Sequence, residues 1–294
     1  MKDYLIRGID KSGKIRMFVA NTTNMVEKAR EVHGTSATAS AAMGRTMTAA
    51  SMMGLMMKNP TDSLTLQVVG NGPLGSIVVS ADSQGNVKGY VHNPKADLPN
   101  NSQGKLDVAG VVGKSGYLSV TMDLGLKDPY VGQSSIVSGE IAEDIAAYYA
   151  YSEQQPSAVS LGVLVEKDLS IRAAGGFIIQ LLPGVSEEDI MEIEKILENI
   201  EPVSKLIDRG LTPEEIMEET LGIFEMELLD KSEVAFVCDC NKERIIRTIK
   251  SLNSEEIQSM IDEDGGAEVV CHFCNKAENL SVEELEQIII DKQK

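Results

Sequence analysis

The chain has 294 residues, 43% hydrophobic and 24% charged, a composition able to bury the core of a globular protein of about two domains. Aromatic residues make up 4% and tryptophan is absent, which disfavours functions built on stacking platforms, such as single-strand nucleic-acid binding. The formal charge of −18 is uneven: residues 1–184 hold 16 acids and 16 bases, residues 185–231 hold 15 and 4, and residues 232–294 hold 14 and 7.

An acidic field over the last 110 residues repels phosphate backbones, so no nucleic-acid partner is expected there. The step near residue 184 marks a candidate domain boundary. No run of about 18 apolar residues occurs, and the N-terminal stretch carries scattered charges without an apolar h-region. Neither a membrane span nor an export signal is therefore expected, and the expected location is the reducing cytoplasm.

Residues 4–9 and 14–20 alternate around Lys11, Ser12 and Gly13, a hairpin signal. Residues 38–57 have helical composition, with Met43, Met47, Met52, Met53, Met56 and Met57 at mixed helical spacing. That helix is either a core element or an adaptable methionine-rich binding surface, and both hold if it is buried in one state and exposed in another. Strand-like runs follow at 64–69, 76–81, 87–92 and 117–122. The stretch from Gly70 through Gly72 to Gly75 matches G-x-G-x-x-G, but a strand-like run follows it and Pro73 lies inside it. A dinucleotide site needs a helix N-terminus at that point, so a hairpin turn is expected instead. Residues 139–152 read as helix, and 158–165 and 172–182 as strands. Helices interrupting antiparallel-looking strands predict an α+β class. The histidines are His33, His92 and His272, and neither H-E-x-x-H nor G-x-S-x-G occurs, so a hydrolytic site has little to build on and no enzyme activity is expected.

Residues 185–231 read as acidic helices. Ser186 is an N-cap candidate ahead of a stripe of Ile190, Ile193, Leu197 and Ile200. Thr212 and Glu215 form a capping box with Pro213 at the first helical position, ahead of Ile216, Met217 and Leu221. This segment is either a solvated helical linker or a set of helices stable only while their narrow stripe is covered.

The sharpest signal is Cys238, Cys240, Cys271 and Cys274, which are all the cysteines of the chain. They form C-x-C, thirty intervening residues, then C-x-x-C. In a reducing compartment such pairs indicate metal or redox chemistry, and two short-spaced pairs can close on one Zn²⁺ in a tetrahedral Cys₄ site. A purely structural zinc site and a zinc-dependent switch both fit that pattern. His272 lies between the last two cysteines and is left out of the ligand set, because the flanking thiolates are softer donors. The spacer reads as two short helices, the first with Ile245, Ile246, Ile249 and Leu252. The second is N-capped by Ser254, carries Ile257, Met260 and Ile261, and is stopped by Gly265 and Gly266. A short strand over 268–270 leads to Cys271, and Ser281 with Glu284 starts a last helix with Leu285, Ile288 and Ile289. So small an apolar complement makes the module depend on the metal for much of its folding energy.

The chain resembles the redox-regulated heat-shock protein 33 family of bacteria, the 33 kDa chaperonins. The likeness runs almost end to end. It includes HGTSATASAAMGRTMTAASMMG at 33–54, GNGPLGSIVVSAD at 70–82, QGKLDV at 103–108 and SGEIAEDIAAYYAYSEQQPSAV at 138–159. It continues with AAGGFIIQLLPG at 173–184, SKLIDRGLTPEEI at 204–216, and FVCDC and CHFCNK at the cysteines. The resemblance implies an α+β chaperone core (1–184), a helical acidic linker (185–231) and a small zinc-binding redox-switch domain (232–294). It implies one Zn²⁺ per chain, held by Cys238, Cys240, Cys271 and Cys274 in the reduced, inactive state. It further implies disulfides Cys238–Cys240 and Cys271–Cys274 on oxidation, with zinc release and unfolding of module and linker. The active form is then an ATP-independent holdase for unfolding client proteins, often a homodimer. Two other classes use the same cysteines, a zinc-module nucleic-acid-binding protein and a thiol–disulfide oxidoreductase. The module's acidity argues against the first, and the lack of a thioredoxin-like strand–helix context against the second. One departure stands out: where the family usually places a Tyr and a Phe after C-x-x-C, this chain has Glu278 and Leu280. A more labile module is expected from the loss of two aromatic anchors.

Overall fold

Strand β1 (Tyr4–Asp10) turns through Gly13, whose φ of +73° suits glycine, into β2 (Ile15–Asn21). The computed structural model describes residues 2–293, and the chain divides into two compact units, Met1–Val237 and Cys238–Lys294. After β2 the first unit continues with helices α1 (Thr23–His33) and α2 (Ala37–Leu55) and strands β3 (Ser63–Gly70), β4 (Ser76–Asp82) and β5 (Val87–Val91). Then come α3 (Val108–Val112), β6 (Gly116–Asp123), β7 (Tyr130–Ser135), α4 (Ala142–Tyr151), β8 (Ser157–Val165) and β9 (Ile171–Leu181). Helices α5 (Glu187–Asn199), α6 (Val203–Asp208) and α7 (Pro213–Leu221) lead to β10 (Met226–Glu233).

The class is α+β. Two five-stranded antiparallel sheets form, ordered β10-β1-β2-β9-β8 and β5-β4-β3-β6-β7. Helix α2 packs against strands of both sheets, and 17 of its 19 residues are buried. Ser36 caps it by accepting the Ala39 amide at 3.2 Å. Met43, Met47 and Met52 are fully enclosed, so in this state the methionine helix is core. Its hydroxyls are satisfied locally: Thr46 and Thr48 donate to the carbonyls of Ala42 and Gly44, and Ser51 donates to that of Gly85. The G-x-G-x-x-G stretch is the β3–β4 turn. A Cβ at Gly70 would lie 2.0 Å from the Val112 carbonyl oxygen, and one at Gly72 2.4 Å from that of Val111. Those glycines admit α3, whose Val112 and Val111 carbonyls accept the amides of Gly72 and Leu74.

Strand β2 is buried on both faces, and its alternation divides two cores. Leu5, Phe18, Ala20 and Ile178 face the α2 core. Tyr4, Ile6, Met17, Val19, Phe177 and Ile179 face a second core made with α5–α7, through Ile193, Leu206, Ile207, Ile216, Met217 and Leu221. The apolar stripe of the acidic helices is therefore covered in this state, with Ile193 4% exposed and Leu197 and Ile200 packed at the margin. Ser186 accepts the Asp189 amide, and Thr212 and Glu215 form both halves of the capping box. The reading of residues 185–231 as helical fails at its end, because β10 is a strand that pairs with β1 along its length. Helices α1 and α3 and strand β7 have no counterpart among the elements expected from the sequence.

In the second unit, α8 (Lys242–Ile249) and α9 (Ser254–Asp264) fill the spacer, followed by β11 (Ala267–Val270), β12 (Ala277–Leu280) and α10 (Val282–Gln293). The N-cap of α9 is Asn253, which accepts the Glu256 amide, rather than Ser254. Gly265 ends α9 at φ +64°. Ile245, Ile249, Ile257, Leu280, Leu285 and Ile288 form its buried core. Leu280 is thus a core residue in its own right at 2% exposure, whereas Glu278 lies half-buried opposite Val269.

Candidate metal centre

Two local structures present the cysteines. Cys238 and Cys240 lie in irregular chain just before α8, whose N-cap Asn241 accepts the Arg244 amide at 2.8 Å. Asp239, between the two thiols, is ion-paired with Arg244 and so is directed to its own helix. Cys271 and Cys274 occupy the turn of the β11–β12 hairpin. There the Cys271 amide donates to the Lys276 carbonyl at 2.9 Å, and the Asn275 amide donates to the Cys271 carbonyl at 2.7 Å. Asn275 has φ +55°, a left-handed conformation that asparagine tolerates better than most side chains.

All four sulfur atoms lie within 4.8 Å of one another. Cys238 Sγ and Cys271 Sγ are 3.7 Å apart, and Cys240 Sγ and Cys274 Sγ 3.1 Å. Four thiolates about 2.3 Å from one Zn²⁺ stand about 3.8 Å apart at the corners of a tetrahedron, so the donor set fits that ion in number, chemistry and spacing. His272 is exposed and outside this cluster, which is the one group of its kind among the described residues. Burial raises the Cys238 thiol pKa, and hydrogen bonding to Cys274, followed by burial, raises that of Cys240. At Cys271 burial acts upward but the amides of Cys274 and Phe273 outweigh it, so the thiol lies below its ordinary value. The hairpin turn thus supplies amide dipoles to the Cys271 sulfur, while burial at Cys238 and hydrogen bonding to Cys274 at Cys240 work against the thiolate there.

The C-x-x-C at the tip of a hairpin lacks the helix N-terminus that activates a thioredoxin-like thiol. Among the described residues no helix is long and apolar enough to cross a membrane.

Known proteins resemble this chain over almost its whole length. A family model described as Hsp33 protein matches residues 3–281. A 33 kDa chaperonin of Acetivibrio thermocellus is 52% identical over 296 residues, covering 100% of both chains. A 33 kDa chaperonin of Bacillus velezensis is 53% identical over 97% of this chain and 98% of its own. Among solved structures, the 33 kDa chaperonin of Thermotoga maritima superposes with a TM-score of 0.91 at 37% identity, over 100% of this chain and 99% of that one.

Proposed function

The chain belongs to the Hsp33 family, and from that premise we propose that it is an ATP-independent holdase switched by the oxidation state of Cys238, Cys240, Cys271 and Cys274. The observation that carries this reading is the convergence of the four sulfurs in a unit with so small an apolar core. Bound by the four thiolates, one Zn²⁺ per chain would supply folding energy, about 10–16 kcal/mol in small modules. In that reduced state the protein is inactive.

Oxidation proceeds at the sulfurs. A thiolate attacks a peroxide oxygen, giving a sulfenic acid and, after protonation, one water. The neighbouring thiol then displaces the second water and closes the disulfide, so each pair loses two electrons and two protons to one peroxide. Spacings of one and two residues put Cys240 beside Cys238 and Cys274 beside Cys271, and those are the pairs this reading joins. The 3.1 Å approach of Cys240 to Cys274 favours a cross-linked alternative, which peptide mapping of the oxidised protein distinguishes. Either way the thiolate donors are consumed and the second unit unfolds. The acidic helices, crowded with like charge, then leave the sheet face of Ile6, Met17, Val19 and Phe177. An uncharged apolar surface of this kind binds partly unfolded clients without a sequence requirement and without catalysis. We propose a homodimer as the active form and the cytoplasm as its location, with neither nucleic acid nor membrane as partner.

The test is light scattering from a thermally unfolding client, with reduced zinc-loaded and peroxide-treated protein side by side. Suppression by the oxidised form alone supports the reading. Equal behaviour of the two forms overturns the switch.

A further inference from the structure

Between β10 and the first cysteine the chain crosses the edge of the second sheet. Strand β5 is the first strand of that sheet, paired on one side with β4. On its other side the Val87 amide donates to the Ala235 carbonyl at 3.0 Å, and the Val237 amide donates to the Val87 carbonyl at 2.8 Å. Val87 and Phe236 thus form an isolated parallel bridge. Alternation along this stretch is consistent, because the His92 amide turns the opposite way, to the Ser76 carbonyl in β4. Phe236 packs against the α2 core, edge-on to His33 with ring centroids 6.4 Å apart. Val234, 5% exposed, anchors the same stretch, and beside it lies a cavity of about 470 Å³ lined by Met25, Lys28, Asn86 and residues 234–236.

The segment therefore does what an added strand does in peptide recognition: main-chain bonds hold it to an edge, and one large side chain, the half-buried Phe236, packs against the core beside a cavity. Its hold on the β5 edge is small: two backbone bonds to Val87 and the Phe236 ring, with Val234 buried and its amide bonded to the Asp3 carbonyl just upstream. One flank is β10, an exposed edge strand, and the other runs directly into Cys238. We propose that the Val87 edge with the Phe236 socket is a client-binding site, occupied in the reduced state by the chain's own residues 234–237. The partner it fits is an extended polypeptide segment carrying a large apolar or aromatic side chain. This inference rests on the redox-holdase reading, since it is the loss of folded structure after Cys238 that frees the segment. A sheet edge also explains tolerance of many clients: it reads backbone, which every unfolded chain offers, and one side chain.

Amide hydrogen exchange at Val87, read by NMR on the full chain, tests the site, with the His92 amide as internal reference. Three states are compared: reduced and zinc-loaded, peroxide-oxidised, and oxidised with a chemically unfolded client. Oxidation is expected to speed Val87 exchange at least tenfold while His92 changes little, and client is expected to restore most of the protection. Reduced Phe236→Ala protein is expected to show faster Val87 exchange without oxidant. Protection of Val87 that survives oxidation while client aggregation is still suppressed overturns the site and leaves the holdase reading intact. Loss of protection that client does not restore also overturns it. Absence of any suppression by the oxidised protein overturns the holdase reading itself.

Discussion

Helices α2 and α8 show two different sources of stability in one chain. Helix α2 is enclosed almost all round by two sheets, and its side chains are held by methionine packing and by hydroxyls bonded to nearby carbonyls. Helix α8 buries only Ile245 and Ile249, and it starts at Lys242, two residues after Cys240 of the four-sulfur cluster. The first unit contains no cysteine, so its core offers an oxidant no thiolate. The second unit places all four thiols together beside a small apolar core. The contrast teaches how a switch of the proposed kind can leave the α2 core untouched, by making the folding of a separate unit depend on a bond set that oxidation removes.

The largest expected effect comes from deleting one donor. Cys274→Ser should abolish stoichiometric zinc binding and unfold the second unit, removing much of the ~10–16 kcal/mol that metal supplies to such modules. The first unit should keep its own cooperative melt. Metal analysis with limited proteolysis reads both; full zinc in the variant would break the contrast between the two units.

Next in size is the pair Ile193→Asp and Leu197→Asp. Ile193→Asp removes about 2 kcal/mol of apolar burial and Leu197→Asp, at a half-buried position, less, and each sets a charge into or beside the second core. The double variant should suppress client aggregation while reduced and zinc-loaded. Dependence on oxidant would show that α5 is a passive tether.

Met47→Ala sharpens the other side of the comparison. It opens a cavity in a fully enclosed site and should cost about 3 kcal/mol of first-unit stability, with zinc content unchanged. Thermal unfolding with parallel metal analysis checks this.

The smallest expected effect is electrostatic. Glu27 receives two guanidinium hydrogens of Arg30, at 2.8 and 2.6 Å, and the Ile171 amide at 2.8 Å. Chiefly the Arg30 hydrogen bonds hold its carboxyl below the ordinary value of 4.5. Such a depressed acid contributes stability above pH 4.5 that is lost as pH falls through its folded-state value. Glu27→Gln should therefore cost about 1 kcal/mol at pH 7, allowing for partial solvent exposure, and progressively less below pH 4.5. A cost independent of pH would refute the charge-based account.

Much of this was legible in the sequence for physical reasons. Strands such as β3 and β4 alternate strictly because one face is core and the other is half-exposed. The four-sulfur cluster was legible in the spacing, because two short-spaced cysteine pairs, C-x-C and C-x-x-C, are suited to closing on one ion. Strand β10 was hidden because Met226, Glu227, Leu228 and Leu229 favour helix locally. Pairing with β1, a long-range interaction, overrode that preference. Strand β7 is an exposed, polar edge with little apolar pattern to read. Strand β12, likewise, presents Glu278 and Asn279 and becomes visible only as the partner of β11. The occupied edge at Val87 had no signal at all, since an isolated bridge between residues so far apart leaves no local periodicity.

The central proposal is that oxidation melts the second unit and spares the α2 core and central sheet strands of the first. Hydrogen exchange with mass spectrometry, on reduced and peroxide-treated full-length protein, tests it directly. The account predicts that amides of α8, α9 and α10 lose protection to the level of an unfolded chain, while those of α2 and of β2 and β9 retain theirs. Retained protection in α8–α10 after all four thiols are oxidised would contradict it, as would parallel loss in α2.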